Sequence, residues 1–270
     1  MQEFVKTEIR EIRPEDAPGL IDLWCRVFED PEELPAAFLR LLPGMGSGAA
    51  AFADGTLAGA AYIVTGLTVG NKRAAYLYAV AVHPEYRGLG LGKDLTRAAC
   101  ALGRTRGADF VCTLPASGSL YGWYEKLIGT RCALYRKREE LPARPGPQIC
   151  PLSSEAYNAR REVLLRELPH MSLSDEAAEF EGISCRLFGG GLYAVGNGIA
   201  AAYREDDRAV VRELICPDPK DQRPYAAAVA AEMGCARLRL YSPGAKDDLP
   251  YLAAEPGVLD PGCIWNLAFD

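Results

Sequence analysis

Hydrophobic and polar positions change period repeatedly along the first half of the chain. Residues 8–13 alternate as a short strand, and Arg13-Pro14-Glu15-Asp16 then leads into a helix whose apolar positions Leu20, Leu23, Trp24, Val27 and Phe28 recur at three- and four-residue spacing. Pro31 opens a second helix through residue 42, and residues 44–48 read as a loop. Residues 50–53 and 57–65 form a hairpin around Asp54-Gly55, a strong short-range turn signal. A buried strand follows at 76–82. An amphipathic helix at 91–106 stops at Gly107, and the pattern continues with a strand at 109–114, a short helix at 120–127 and a strand at 131–137. This order predicts an α/β (α+β) domain over residues 1–140, with a mixed central sheet flanked by helices.

The proline- and charge-rich residues 139–149 read as a linker. Beyond it, residues 150–270 form a second, smaller block: a helix at 153–168, a hairpin of 192–195 and 199–204 around Gly196-Asn197-Gly198, a strand at 209–216, a helix at 219–233, a strand at 236–241 and a closing strand at 263–269. This block reads as a worn copy of the first. Thr56-Leu-Ala-Gly-Ala-Ala-Tyr62 matches Asn197-Gly-Ile-Ala-Ala-Ala-Tyr203, and Ala79-Val-Ala-Val-His-Pro84 matches Arg212-Glu-Leu-Ile-Cys-Pro217. The stretch from Pro217 to Gly234 is six residues shorter than that from Pro84 to Gly107, and the shortfall falls where the first block carries a glycine-rich turn.

Composition narrows the function classes. With 49% hydrophobic residues in 270, a sizeable core is available; 30 basic against 36 acidic residues give a formal charge of −6, which argues against bulk binding of nucleic acid or anionic membrane. The N-terminal residues lack a basic stretch followed by an apolar run, and the most apolar window, 49–69, is broken by Asp54 and several glycines, so a cytoplasmic protein without a membrane span is expected. Nine cysteines without a C-x-x-C pair read as reduced, buried thiols, and two histidines, His83 and His170, give little support to a metal site or a Ser-His-Asp triad. No metal is expected.

The chemistry concentrates at Tyr86-Arg87-Gly88-Leu89-Gly90-Leu91-Gly92-Lys93, between the strand ending at Val82 and the following helix. Three glycines leave backbone N–H groups unobstructed at a helix N-terminus, where unpaired donors and the positive dipole end favour an anion, and Arg87 and Lys93 add charge at the edges. A P-loop needs glycine where Arg87 stands and a hydroxyl residue where Asp94 stands; a dinucleotide fingerprint needs glycine at Lys93 or Leu95. Neither spacing fits, so the turn is an anion site of another kind.

Ala79-Val-Ala-Val-His-Pro-Glu-Tyr-Arg-Gly-Leu-Gly-Leu-Gly-Lys-Asp-Leu95 resembles motif A of the GNAT N-acetyltransferase superfamily, and Arg87-Gly-Leu-Gly-Leu-Gly92 satisfies its Arg/Gln-x-x-Gly-x-Gly/Ala pattern. Ser119-Leu-Tyr-Gly-Trp-Tyr-Glu-Lys-Leu127 is similar to motif B, with Trp123 in place of phenylalanine. The resemblance covers about residues 5 to 138, and two copies with a degenerate C-terminal half are similar to some bacterial GNAT proteins of this size. It implies an N-acetyltransferase that uses acetyl-CoA as co-substrate and a primary amine, small-molecule or peptide, as acceptor. It implies that Val80, Ala81 and Val82 pair with the pantetheine arm, that Arg87, Gly88, Leu89, Gly90, Leu91, Gly92 and Lys93 hold the pyrophosphate, and that Ser119 and Leu120 lie along the pantetheine. Tyr124 takes the general-acid position, although Tyr121 shares its helical face. Tyr76 and Tyr78 stand where many relatives carry a glutamate base; His83 reads as structural, and the terminal carboxylate of Asp270 is an alternative base. Trp24 and Phe28 read as core, and Glu29 and Asp30 as a solvated helix end. The competing functional reading is a non-catalytic acyl-CoA sensor or scaffold.

Overall fold

The computed structural model describes residues 6–269. The chain falls into two compact units: the first takes the chain through Arg131 together with Ala253–Val258, and the second takes Cys132–Leu252 and the chain from Leu259 onward.

The first unit runs β1 (Thr7–Glu11), α1 (Ala17–Phe28), α2 (Glu33–Met45), β2 (Gly46–Ala53), β3 (Thr56–Val64), β4 (Leu67–Val69), β5 (Lys72–Val82), α3 (Leu91–Thr105), β6 (Phe110–Thr113) and α4 (Gly118–Ile128). Its sheet order is β1-β2-β3-β5-β6, antiparallel throughout except for the parallel β5–β6 pair. On the far side of β6, Ala253 and Ala254 pair antiparallel with Thr113 and Cys112, so a segment from late in the chain completes this sheet. The apolar stripe of α1 buries Leu20, Leu23 and Trp24, and α2 buries Leu34, Phe38, Leu41, Leu42 and Met45. Asp54 and Gly55 both take positive φ, 47° and 83°, as the two-residue hairpin requires. Helix α3 approaches the sheet so closely that a Cβ on Gly103 would stand 2.7 Å from Ala75 Cβ.

The expected loop at 44–48 does not exist. The buried stripe of α2 continues through Met45, and β2 starts at the next residue. The glycines there serve close packing rather than a turn: a Cβ on Gly46 would stand 2.1 Å from the Ile63 carbonyl oxygen.

The second unit comprises β7 (Arg131–Pro142), β8 (Ile149–Pro151), α5 (Ser154–Leu165), β9 (Met171–Leu173), α6 (Asp175–Leu187), β10 (Gly191–Val195), β11 (Gly198–Glu205), β12 (Arg208–Ile215), α7 (Gln222–Glu232), β13 (Arg237–Gly244) and β14 (Leu249–Ala254), whose last two residues are those counted with the first sheet. Its sheet order is β8-β10-β11-β12-β13-β7, with β12–β13 the parallel pair. The succession β10-β11-β12-α7-β13 repeats β2-β3-β5-α3-β6.

The unit boundary lies after Arg131, ahead of the expected linker. Residues 139–142 are in β7, where they pair with 237–240, because Glu139, Glu140 and Arg138 satisfy their backbone in the ladder while their side chains stay at the surface. The expected strand at 263–269 is irregular; apart from one bridge between Ile264 and His170, its apolar residues are buried through side chains rather than strand pairing. Helix α6 has no counterpart in the sequence reading. Ser174 caps it through Ala177 N, and its buried face mixes Ala177, Ala178, Phe180, Glu181, Gly182, Ser184 and Cys185, which hides the apolar period.

Two buried ion pairs fasten the second unit to its own β12. Arg161 and Glu213 have fully buried side chains; Arg161 Nε donates to Glu213 Oε2 at 2.9 Å and Tyr157 OH donates to the same oxygen at 2.8 Å. Arg212 Nη1 donates to Glu181 Oε2 at 3.1 Å, and Phe269 N donates to Glu181 Oε1 at 3.0 Å.

Candidate active site

The site begins where a ladder stops. Strands β5 and β6 pair in parallel over four positions, from Ala74 with Phe110 to Leu77 with Thr113. Beyond Leu77, β5 runs on through Val82, while β6 ends at Thr113. On its other side β5 shifts register against β3: Tyr62 faces Tyr78 and Ala60 faces Ala81, so two residues of β5 oppose one of β3. Ala79 takes φ 46° there, left-handed backbone that a non-glycine residue seldom adopts. The bulge falls just past Leu77, where the parallel ladder with β6 ends. Of the residues expected to line a pantetheine arm, Ala81 is buried, and Val80 and Val82 are half-buried against the core of the unit. Their backbone is the available part.

After Val82 the chain tightens into a short 3-10 turn, Pro84–Tyr86, which His83 caps by accepting a hydrogen bond from Glu85 N at Nδ1, 3.3 Å. His83 thus takes part in closing the turn ahead of the glycines. Arg87 folds back so that Nε donates to the Val82 carbonyl at 3.3 Å. Gly88 and Gly90 take φ 87° and 81°, and Gly90 is the N-cap of α3 with no side chain to cap it. Lys93 N and Asp94 N return to the Gly90 carbonyl at 3.1 and 3.3 Å, which leaves the first-turn N–H groups of Leu91 and Gly92 without intrahelical acceptors. Leu91 anchors the helix with a 3% exposed side chain, whereas Arg87, Gly88, Leu89, Gly90 and Lys93 are exposed. Lys93 Nζ lies 3.8 Å from Asp94 Oδ1, a solvent-exposed pair of little energetic weight. The arrangement is a cradle of backbone donors at a helix N-terminus, with an arginine pinned at its rim.

Helix α4 starts just past β6. Ser119, exposed in its first turn, shares a hydrogen bond with Ser117 (Oγ–Oγ 3.0 Å), and Leu120 packs against the core. Tyr124 is the helix's buried residue, whereas Tyr121 is half-buried. Burial pushes the Tyr124 phenol above its ordinary range, and the Thr113 hydroxyl acts in the opposite sense. Thr113, 3% exposed, donates through Oγ1 to the Leu77 carbonyl at 3.0 Å. The phenol thus sits at the fork where the parallel strands part. Thr113 and the Ala79 bulge were not singled out from sequence; a lone hydroxyl ending the apolar run 110–114 is the only trace the former leaves there.

On the other face of β5, Trp24, Phe38, Tyr62 and Tyr78 form an aromatic cluster with ring centroids 5.1–5.6 Å apart, and Tyr76 stacks on Tyr78 at 6.0 Å. Trp24 is 2% exposed and donates its indole N–H to Asp30 Oδ2 at 2.8 Å, so it is a core residue. Phe28 is half-exposed beside it, and Glu29 takes φ 63° in closing α1. The terminal carboxylate of Asp270 lies outside the described residues.

Residues 8–125 match the family model of the acetyltransferase (GNAT) domain. Over this span, somewhat under half of the chain, the protein is similar to a GNAT acetyltransferase domain. The matched span ends one residue past Tyr124 and contains β5, the glycine turn and nearly all of α4. Comparison with curated protein sequences finds no match. Among solved structures, a GCN5-related N-acetyltransferase from Kribbella flavida superposes with a TM-score of 0.67 at 15% identity, over 93% of this chain and 71% of that one. A GCN5-related N-acetyltransferase from Anabaena variabilis gives 0.66 at 15%, over 92% and 72%. One from Sphaerobacter thermophilus gives 0.52 at 16%, over 92% and 94%. At these identities the likenesses show the fold alone, and they extend along both units of the chain.

Proposed function

We propose that the GNAT domain transfers the acetyl group of acetyl-CoA to a primary amine by direct attack on the thioester. The observation that carries this reading is the juxtaposition of three features: the edge of β5 that outruns β6 past Leu77, a backbone-donor cradle at the start of α3, and a buried phenol on α4. An extended pantetheine arm adds as a strand along the edge of β5 at Val80, Ala81 and Val82 that β6 does not reach, where it displaces Arg87 from the Val82 carbonyl, with Ser119 and Leu120 on its other side. The diphosphate takes the N–H groups of the turn from Gly88 through Gly92, with Lys93 contributing its side-chain charge, where the helix dipole and Arg87 favour negative charge.

The chain's own groups then have defined tasks. Direct attack by the amine generates an oxyanion, which needs a donor, and expels a thiolate, which needs a proton. Tyr124 supplies that proton, and its burial keeps it protonated at neutral pH. The His83 ring is already engaged at Nδ1 with Glu85 N, which argues against it as the base for the amine. Tyr76 and Tyr78 face the aromatic cluster and offer no carboxylate. The base for the amine is water leading to solvent.

Thiol release from acetyl-CoA across a panel of amines, with Tyr124→Phe alongside, tests the reading. The expected result is turnover with at least one amine, lost by more than tenfold in Tyr124→Phe while CoA affinity stays within about twofold. Tight CoA binding with no turnover on any amine replaces this reading with that of a sensor.

A further inference from the structure

One cation of the glycine turn is already bonded to the strand that the turn follows. Just past β5, His83 N donates to the Ala58 carbonyl of β3 at 2.9 Å, and the pairs Gly59–Val82 and Ala60–Ala81 continue that antiparallel register. Hydrogen-bonded and non-hydrogen-bonded pairs alternate along such a ladder. With His83 turned toward β3, the Val82 carbonyl faces the opposite edge, the one β6 does not reach past Leu77. That outward carbonyl accepts from Arg87 Nε at 3.3 Å. A strand added along this edge needs the same carbonyl for an N–H of its own. Arg87 therefore stands where the pantetheine arm has to lie.

The backbone of Arg87 is held while its side chain can move. Its N–H donates to the Pro84 carbonyl at 3.3 Å, closing the 3-10 turn, and Gly88, with φ 87°, starts the cradle at the next residue. The side chain is exposed and takes part in no ion pair among the described residues, whereas Lys93 Nζ lies 3.8 Å from Asp94 Oδ1.

We propose that Arg87 is a specificity-determining residue: in the empty site it covers the Val82 carbonyl, and it gives that carbonyl up in exchange for a diphosphate. This inference rests on the reading of residues 80–82 and the glycine turn as the acetyl-CoA site. A guanidinium bonded once to a neutral carbonyl loses little by leaving, and on a diphosphate it gains charge-assisted, bidentate contacts. A CoA thioester carries that diphosphate and completes the exchange. A thioester of bare pantetheine has the same arm and the same acyl group but nothing to draw Arg87 away, so it bears the displacement without compensation. The site thus separates acyl-CoA from acyl-pantetheine by more than the direct diphosphate contacts alone.

The experiment measures binding to the full chain, wild type and Arg87→Ala, of CoA by calorimetry and of pantetheine by ligand-observed magnetic resonance, the latter with and without inorganic pyrophosphate. Arg87→Ala is expected to bind CoA about tenfold more weakly, yet pantetheine about three- to tenfold more tightly, the worth of one ordinary hydrogen bond. Pyrophosphate is expected to tighten pantetheine binding to the wild type by a similar factor and to leave it unchanged in Arg87→Ala. A residue that merely braced the turn would weaken both ligands when removed. Pantetheine binding in Arg87→Ala that is weaker, unchanged or undetectable, while the wild type binds CoA, overturns the role of Arg87. So does pyrophosphate that fails to tighten pantetheine in the wild type. A wild type that binds no CoA removes the reading of the site itself, which keeps the two failures apart.

Discussion

Gly90 offers a perturbation whose cost can be worked out before it is measured. Its φ of 81° lies in the left-handed region, and nothing stands within 4 Å of where a Cβ would project. Gly90→Ala therefore introduces no clash. Its cost is conformational, about 1–2 kcal/mol for an L-residue held in that region. If the free protein holds the turn as seen, that cost appears as lost stability; if the turn relaxes without ligand, it appears as about 5- to 30-fold weaker CoA binding. The two losses, measured by urea unfolding and by titration calorimetry, should sum to the same figure. Gly90→Glu adds a carboxylate beside the diphosphate. At about 4 Å, one pair of like charges costs roughly 1 kcal/mol in water and about 4 kcal/mol at an effective dielectric near 20, so CoA affinity should fall by roughly 5- to 1000-fold. Gly55 supplies the control. It has φ 83° and equally open space, but it sits in the β2–β3 hairpin, so Gly55→Ala should lower stability by the same amount and leave CoA binding alone. Wild-type CoA affinity in Gly90→Glu, or equal weakening in Gly55→Ala and Gly90→Ala, would refute the assignment of the turn.

Three further outcomes follow from the same geometry. Glu213→Gln strips a fully buried Arg161 of its charge partner and should cost about 3–5 kcal/mol, seen as a fall of roughly 6–20 °C in the melting of the second unit; a change under 2 °C would show that the pair is not as dry as it looks. The Arg10 guanidinium holds the Asp16 carboxyl below its usual range, and the Ser47 hydroxyl followed by Arg106 does the same for Glu11. Both folded-state values are depressed, so the stability they confer is present above about pH 4.5 and is lost as pH falls through the folded values. Asp16→Asn with Glu11→Gln should flatten the decline of stability measured by urea unfolding between pH 5 and pH 3, and an unchanged slope would count against it. Calorimetry should find one CoA per chain, since the second unit lacks the glycine turn, and two would contradict that expectation.

The alternation of periods in the first half locates α1, α3 and the β2–β3 hairpin to within a few residues, because each carries a strong local signal: a buried stripe at helical spacing, a glycine stop, an Asp-Gly turn. The glycine turn was legible for the same reason, since its chemistry lies within eight consecutive residues. Features that depend on distant partners were not. Residues 44–48 look like a loop until the Ile63 carbonyl is placed against Gly46. Residues 263–269 look like a strand because apolar runs report burial, and burial does not require a ladder. The pairing of Ala253 and Ala254 with β6 joins positions some 140 apart, which no local pattern carries. The buried bond from Thr113 to the Leu77 carbonyl was invisible because its acceptor lies on the neighbouring strand, 36 positions away.

The two units show why a shared strand pattern does not imply a shared site. Each has a parallel pair four residues long, Ala74 to Leu77 in one and Arg208 to Val211 in the other, and each has a register shift just beyond it. In the first unit the freed stretch of strand leads into three glycines and a helix start with open N–H groups. In the second, the corresponding residues Arg212 and Glu213 are buried in ion pairs with Glu181 and Arg161, which use that stretch to tie β12 to α5 and α6. The following turn carries Asp218, bonded to Lys220 N, and Asp221 at the N-cap of α7. Carboxylates at that position put negative charge at the helix's positive end and repel a phosphate. Restoring glycines to the second turn would therefore not restore an anion site, because the acids and the buried pairs would remain. The bulge opens a sheet, and what lines the opening decides whether it receives a ligand or is closed by the protein's own charges.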